Sequence, residues 1–479
     1  MVWTVLVLVS LLVLLHQYEN WRAAKELAVV RRAVLARVGT ENLMDILPAE
    51  VAADRNFFAI PIIQSWRRRD DARPDFNKYE FPSDKLFSRE FPQPEMVEQD
   101  GRVKFDLEGW WRVRFPNTEL PADRGDVVQA FLAETKGNEA GAILTGLMAG
   151  LDREESRMIP CRRRCIADAG GDPAAAAIPW TAGAWDMQRG LAVHLYAARL
   201  AGDGGKTRDL SGVMLKLGDA LVNDPGLVTQ LAGLALNQTT LQTLNAVLDC
   251  PQLTGSDYSK IQGWLMKTDD VRATEITTFE TLLSAETVYA RFRHRIAGQA
   301  AFGPEFQPRI FLGSLIAPNG WVDANRAYGA HRLLQLSGGG GPETWRSGDE
   351  GIRAVREEQE HESQFFNPRT VLGRISVPAL TGLWNQSAKN LFHRRCAILA
   401  CALHRHRLLH GAFPKNLTEL DAGLLPGPGP GPQMDSAKAE AELQYRVEEK
   451  GFLLWSVGMD RVDDGGDADK DWIWRQGGN

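Results

Sequence analysis

The chain has 479 residues and a net charge of −6, with 44% hydrophobic and 24% charged residues. That length exceeds what one hydrophobic core serves, so two or three domains are expected, and the ordinary composition confines disorder to short polar or Pro/Gly-rich stretches. The negative balance gives no general attraction for phosphates, so nucleic acid is not expected as a partner.

Five cysteines, Cys161, Cys165, Cys250, Cys396 and Cys401, are too few for a disulfide scaffold. One bond in an oxidising compartment stays open, with unpaired thiols as the default. Cys161 and Cys165 have three residues between them and no second Cys or His pair close in sequence, which argues against zinc.

Residues 2–15 carry no charge, with Thr4 and Ser10 as their only hydroxyl residues. A helix from Met1 to Tyr18 would measure ~27 Å, just short of a ~30 Å hydrocarbon core, with Tyr18 and Trp21 at the far interface. A transmembrane anchor over 1–20 is expected. A cleaved signal peptide is the rival reading, disfavoured because His16-Gln17-Tyr18-Glu19 offers no small-x-small cleavage site. Orientation is in conflict: Arg22, Lys25, Arg31, Arg32 and Arg37 all follow the span, which taken alone puts the bulk of the chain in the cytoplasm.

From Trp21 to Gly39 the pattern continues as helix, with Leu27, Val30, Val34 and Leu35 on one face, extending the anchor into a stalk. Between 54 and 120 frequent prolines predict loops packed over a larger body. Residues 121–384 read as an irregular α-helical body. Asp126 is taken as a cap, helices are predicted at Ala184–Leu200, at Leu210–Val222 and from Asp224-Pro225 to Leu248, and Thr277-Thr278-Phe279-Glu280 reads as a capping box opening a helix to Ile296.

Weaker signals have plainer explanations. Gly338–Gly341 lacks the Gly-Lys-Ser/Thr ending of a phosphate loop and reads as a linker, and Glu357–Glu362 with His361 is not a His-Glu-x-x-His motif but a solvated helix face. His406 and His410 sit one helical turn apart, but Arg394, Arg395, Arg405 and Arg407 surround the His393–His410 group, so surface histidines on a basic face are expected. No catalytic residue or cofactor motif is assigned.

A helix over Leu391–Leu409 runs into His410-Gly411-Ala412-Phe413-Pro414, where Gly411 suits a left-handed stop and Pro414 prevents resumption, followed by a short helix carrying Leu417 and Leu420. Leu443–Val447 and Gly451–Gly458 alternate as a β-hairpin, and an aspartate-rich loop and Trp472-Ile473-Trp474 follow. This order, with His410–Leu420, Tyr445, Ser456-Val457-Gly458-Met459-Asp460 and Gly465-Gly466-Asp467-Ala468-Asp469, resembles the globular domain of the major pseudopilin of type II secretion systems.

The resemblance covers residues 385–479 and implies a small α+β domain whose acidic loop binds calcium, with Asp460, Asp467 and Asp469 as the matching metal ligands. Asp463, Asp464 and Asp471 are further carboxylates without an assigned counterpart. The alternative is a solvated acidic turn. The chain departs from the family in lacking a basic leader and in placing its apolar segment almost four hundred residues upstream, so filament assembly is not expected.

The expected fold class is therefore mainly α: an N-terminal transmembrane helix (1–20), a stalk and irregular packing region (21–120), an α-helical body (121–384) and a pseudopilin-like module with a β-hairpin (385–479). The expected function is a non-enzymatic scaffold or secretion-associated interaction protein of a bacterial inner membrane, single-pass and mostly periplasmic, meeting the membrane through its N-terminal helix and binding protein partners. An envelope hydrolase with a dispersed site is the alternative.

Overall fold

The computed structural model describes residues 2–40, 42–69, 77–82, 86, 95–99, 102–136, 139–173, 176, 183–293, 318–337, 355, 357, 367–425, 443–457 and 462–477. Gly338–Gly341 and Glu358–Glu362 lie outside them, and so does Asp460.

The fold is mainly helical. Fourteen α-helices are followed here: α1 (Val2–Val38), α2 (Leu43–Ile46), α3 (Pro61–Gln64), α4 (Leu107–Arg114), α5 (Arg124–Lys136), α6 (Glu139–Met148), α7 (Arg162–Asp168), α8 (Ala184–Leu200), α9 (Gly204–Val222), α10 (Leu227–Val247), α11 (Gly255–Leu265), α12 (Asp270–Arg293), α13 (Asn319–Ser337) and α14 (Val371–His410). Two small antiparallel ribbons pair β1 (Arg67–Arg69) with β2 (Asn77–Tyr79) and β3 (Met96–Gln99) with β4 (Arg102–Phe105). A three-stranded antiparallel sheet has the order β5 (Gln444–Glu448), β6 (Gly451–Ser456), β7 (Trp472–Gln476).

Local chemistry sets the helix starts. Asp203 caps α9 by accepting from the Lys206 amide at 2.9 Å, and Thr254 and Asp257 form a reciprocal capping box on α11. At α5 the residue that takes a turn amide is Asp123, from Gly125 at 2.8 Å, while Asp126 lies inside the first turn. The Thr277 pattern opens no helix, because α12 already begins at Asp270. Thr278 is instead satisfied inside it, donating to the Thr274 carbonyl at 2.8 Å and accepting from Trp384 Nε1 at 3.1 Å. A back-bonded hydroxyl with a second partner removes the reason for that threonine to cap.

The main core is built where α8, α9, α10, α11 and the second half of α14 converge. Phe57, Phe58 and Trp110 from the irregular region are buried in it, as are Phe452, Leu454 and Trp474 from the sheet. α9 and α10 approach closely at Gly233, where an added Cβ would stand 2.5 Å from the Val222 amide nitrogen. A second core gathers Leu234, Leu333, Val377, Leu380 and Trp384, so α14 runs through both.

α1 is one unbroken helix. Its second half does not stand free as a stalk: Leu27, Val30 and Val34 pack on Ala327 of α13, and Arg369 bonds Glu19 and Glu26. Its first half is different. Leu6, Val7 and the consecutive Leu11–Leu15 are each between 46% and 59% exposed. The expected transmembrane span is not met, since among the described residues no helix is long and apolar enough to cross a membrane. The physical reason is length: the apolar run 2–15 amounts to about 21 Å of helix, against a hydrocarbon core of about 30 Å.

Candidate metal centre

β6 is the central strand of its sheet and is buried along its whole length. Alternation sends Phe452 and Leu454 toward the helical body, and leaves Leu453, Trp455 and Ile473 as a small cluster on the other face. The acidic loop covers that outer face. Gly465 and Gly466 both adopt positive φ, at 73° and 83°, and an added Cβ on Gly466 would lie 2.7 Å from Leu453 Cδ2. Glycine is needed at both for conformation and at Gly466 also for space.

The carboxylates of the loop divide by what they accept. Asp463 Oδ1 receives Trp455 Nε1 at 3.0 Å and the Gly465 amide at 2.9 Å, and these two bonds hold its carboxyl below the usual carboxylate range. Asp464 pairs with Lys470 at 2.8 Å. Asp467 takes the Asp469 amide at 3.1 Å, and its carbonyl receives the amides of Lys470 and Asp471. Among the described carboxylates of the loop Asp471 alone is buried: one oxygen accepts the Gly466 amide at 2.8 Å, and the other, Oδ1, is sealed from solvent with no hydrogen-bond donor among the described residues.

Asp467 and Asp469 thus stand together on the exposed surface, and Asp460 lies outside the described residues. Among the described residues no group of three or more His, Cys, Asp or Glu side chains is arranged to hold a metal ion. The donor chemistry nonetheless suits a hard cation, which takes carboxylate and carbonyl oxygens. Asp471 Oδ1 is the atom such a cation would satisfy, since a buried anionic oxygen without a donor is costly. The one signal for Asp471 in the sequence is its place directly before Trp472-Ile473-Trp474, whose strand draws it inward.

The strongest ionisable cluster lies elsewhere, inside the helical body. Arg394 of α14 is fully buried and donates to Asp219 Oδ1 at 2.8 Å, to Asp270 Oδ2 at 2.8 Å and to the Leu265 carbonyl at 3.2 Å. Asn237 also donates to Asp219, at 3.0 Å. Burial pushes the Asp270 carboxyl up to about 6 against the pull of Arg394, with Asp219 adding to the rise. Nearby, Asp224 accepts the Arg162 amide at 2.7 Å and burial lifts it to about 7, while Arg162 pairs with Glu280 at 2.8 Å. These groups tie α7, α9, α10, α12 and α14 together.

The expectation of surface histidines fails for His393 and His404, which are buried, and burial pushes them down to about 3 and about 4. His404 stacks on Tyr258 with centroids 5.1 Å apart and meets Gln476 Oε1 at 3.3 Å. Their arginine neighbours misled the reading, because Arg394 points into the core rather than out of it. All five cysteines are free and buried. No protein-family model, curated protein or solved structure matches the chain.

Proposed function

We propose that this protein is a non-enzymatic scaffold held at a membrane by the first turns of α1, with a cation-stabilised C-terminal module as part of its interaction surface. One observation carries the reading. Leu11–Leu15 are consecutive, so they point to every side of the helix, and all are roughly half exposed. A helix that is apolar all round needs an apolar surrounding on every face, and a bilayer supplies one. Tyr18 and Trp21, both exposed, then lie at the headgroup level, and the basic residues from Arg22 onward follow.

The scaffold part rests on how the body uses its charges. Arg394, Asp219 and Asp270 are bonded to one another inside the core, as are Arg162 and Glu280, which suits holding helices in place more than meeting a substrate. The acidic loop would hold calcium through Asp467, Asp469 and Asp471, pinning the loop onto the outer face of the sheet. A periplasmic address for the bulk of the chain on a bacterial inner membrane, and a role beside secretion machinery, follow from the pseudopilin resemblance and belong to the same proposal.

Flotation of the full-length chain with phospholipid vesicles tests the anchor. The wild type is expected to float, and Leu11→Asp combined with Leu14→Asp is expected to sediment, since each buried charge costs about 2.5–3.5 kcal/mol in the hydrocarbon. A wild type that sediments, or a double variant that floats equally, overturns the proposal.

A further inference from the structure

The C-terminal end of α14 brings two imidazoles into contact. His406 and His410, one helical turn apart, have ring centroids 4.3 Å from each other and a 40° tilt between their planes. Two imidazole nitrogens bound to one metal ion at ~2.0–2.1 Å lie at most ~4.2 Å apart, a spacing these rings reach by a turn of the half-exposed His410 about its side-chain bonds. His406 Nδ1 is covered and has no hydrogen-bond partner among the described residues, so that nitrogen is the one a metal ion would satisfy.

Folding adds a third group that the sequence does not announce. The chain turns back at Gly411, and Asp421, at the head of the short turn Ala422–Leu424, comes to stand with Oδ2 3.8 Å from His410 Nε2. That is too long for a hydrogen bond and short enough to become one as the ring turns. A metal-bound histidine usually gives its second N–H to a carboxylate, which fixes the ring and raises the basicity of the bound nitrogen. Asp421 thus takes Nε2–H of His410 and leaves Nδ1 for the metal. The protein supplies two nitrogen ligands and one orienting carboxylate.

Neighbouring cations do not close the site. Arg394 and Arg395 are buried and lie at least ~16 Å back along the helix, and Arg394 is compensated by Asp219 and Asp270. Arg405 and Arg407 leave the helix about 100° to either side of His406. Arg405 donates to Gln262 Oε1 and to the Leu424 carbonyl, both at 2.9 Å, and Arg407 lies over the Phe413 ring, 4.9 Å from its centroid. Asp421 offsets one of these charges, and the last turn of α14 presents the negative end of the helix dipole.

We infer that His406 and His410 chelate a divalent transition-metal ion at the end of α14, with Asp421 orienting His410 and water filling the remaining positions. Imidazole suits copper, nickel and zinc, whereas the oxygens of the acidic loop suit calcium, so the two sites take different metals. Copper(II) binds a given nitrogen set most tightly, and two nitrogens with open positions fit its tetragonal geometry. The inference is independent of the membrane and scaffold readings.

Copper(II) at one equivalent, added to the full-length chain with calcium in excess to occupy the loop carboxylates, is the probe. Its electron paramagnetic resonance spectrum is expected to show coupling to two imidazole nitrogens. His406→Ala and His410→Ala are each expected to lose that pattern; His410 is half exposed, so its loss removes a ligand without opening the core. Asp421→Asn is expected to keep the pattern and to weaken copper about tenfold in titration calorimetry. A wild type without the two-nitrogen spectrum, or a spectrum that survives either histidine substitution, overturns the site. Copper held as tightly by Asp421→Asn as by wild type overturns the orienting role and leaves only an adventitious pair of surface histidines.

Discussion

Replacing Arg394 by Met removes the only cation in a fully buried triad and keeps most of the side-chain volume. Three hydrogen bonds go with the guanidinium, to Asp219, Asp270 and the Leu265 carbonyl. Two carboxylates are left facing each other without compensation, and breaking a buried pair in this way costs about 3–5 kcal/mol. Set against a total stability of about 5–15 kcal/mol, that is a large fraction.

The penalty has a pH signature. The folded Asp270 carboxyl is raised to about 6, against an ordinary value of 3.8, so the folded state takes up this proton more readily than the unfolded state does. Its contribution is fully present below the unfolded value and is lost as pH rises through about 6. Without Arg394 the folded carboxyl climbs further, so the loss is larger at pH 8 and is relieved more completely on acidification. Guanidinium denaturation of wild type and Arg394→Met at pH 8, 6.5 and 5 is expected to give a stability gap that narrows stepwise. Comparing the gap cancels the titration of every group whose surroundings the substitution leaves unchanged, and keeps that of Asp270. A gap near zero at pH 8, or one that widens toward pH 5, would refute the reasoning.

Three further outcomes are expected. Gly465→Ala incurs only the left-handed backbone penalty, about 1–2 kcal/mol, whereas Gly466→Ala adds the contact with Leu453 and lowers the melting temperature more; equal effects would count against the loop packing described. Calcium at a hundredfold excess over its dissociation constant is expected to stabilise the full chain by about 2.7 kcal/mol, and Asp471→Ala to remove that gain in melts with and without chelator. An unchanged wild-type melting curve defeats the cation site. Gln476→Leu removes the donor to the Asn245 carbonyl and the side-chain partner of His404 in the core, an expected loss of about 1–3 kcal/mol, and a variant as stable as wild type in urea would show those bonds to be unimportant.

The helices of the body were legible because their apolar periodicity is strong: Ala184–Leu200 is reproduced end to end, and Leu210–Val222 lies within α9. The Gly411 stop is in place at φ 82°, and the hairpin pairs Tyr445 with Leu454 in the expected segments. What failed has a common cause in tertiary structure. Thr277 was misread because the partner of the neighbouring Thr278, Trp384, is more than a hundred residues away. His404 and Arg394 were assigned to the surface because charge in a helix suggests solvent, whereas here each meets a distant partner in the core. β7 was passed over as a strand since Trp472-Ile473-Trp474 is too short and too uniformly apolar to alternate. In the acidic loop, counting aspartates located the segment but could not tell the buried Asp471 from its exposed neighbours, a distinction created by the strand that follows it.

Gln476 on β7 bonds Asn245 on α10 across 231 residues of sequence. During synthesis at about 5–20 residues per second, α10 leaves the ribosome roughly 12–46 s before its last partner is made. For that interval the Asn245 carbonyl lacks its Gln476 donor, and His404, made 72 residues ahead of Gln476, lacks that partner for roughly 4–14 s. The body is therefore a late folder by construction, and a chain stalled or truncated ahead of β7 is expected to be held by chaperones or degraded, whatever the strength of its individual helices.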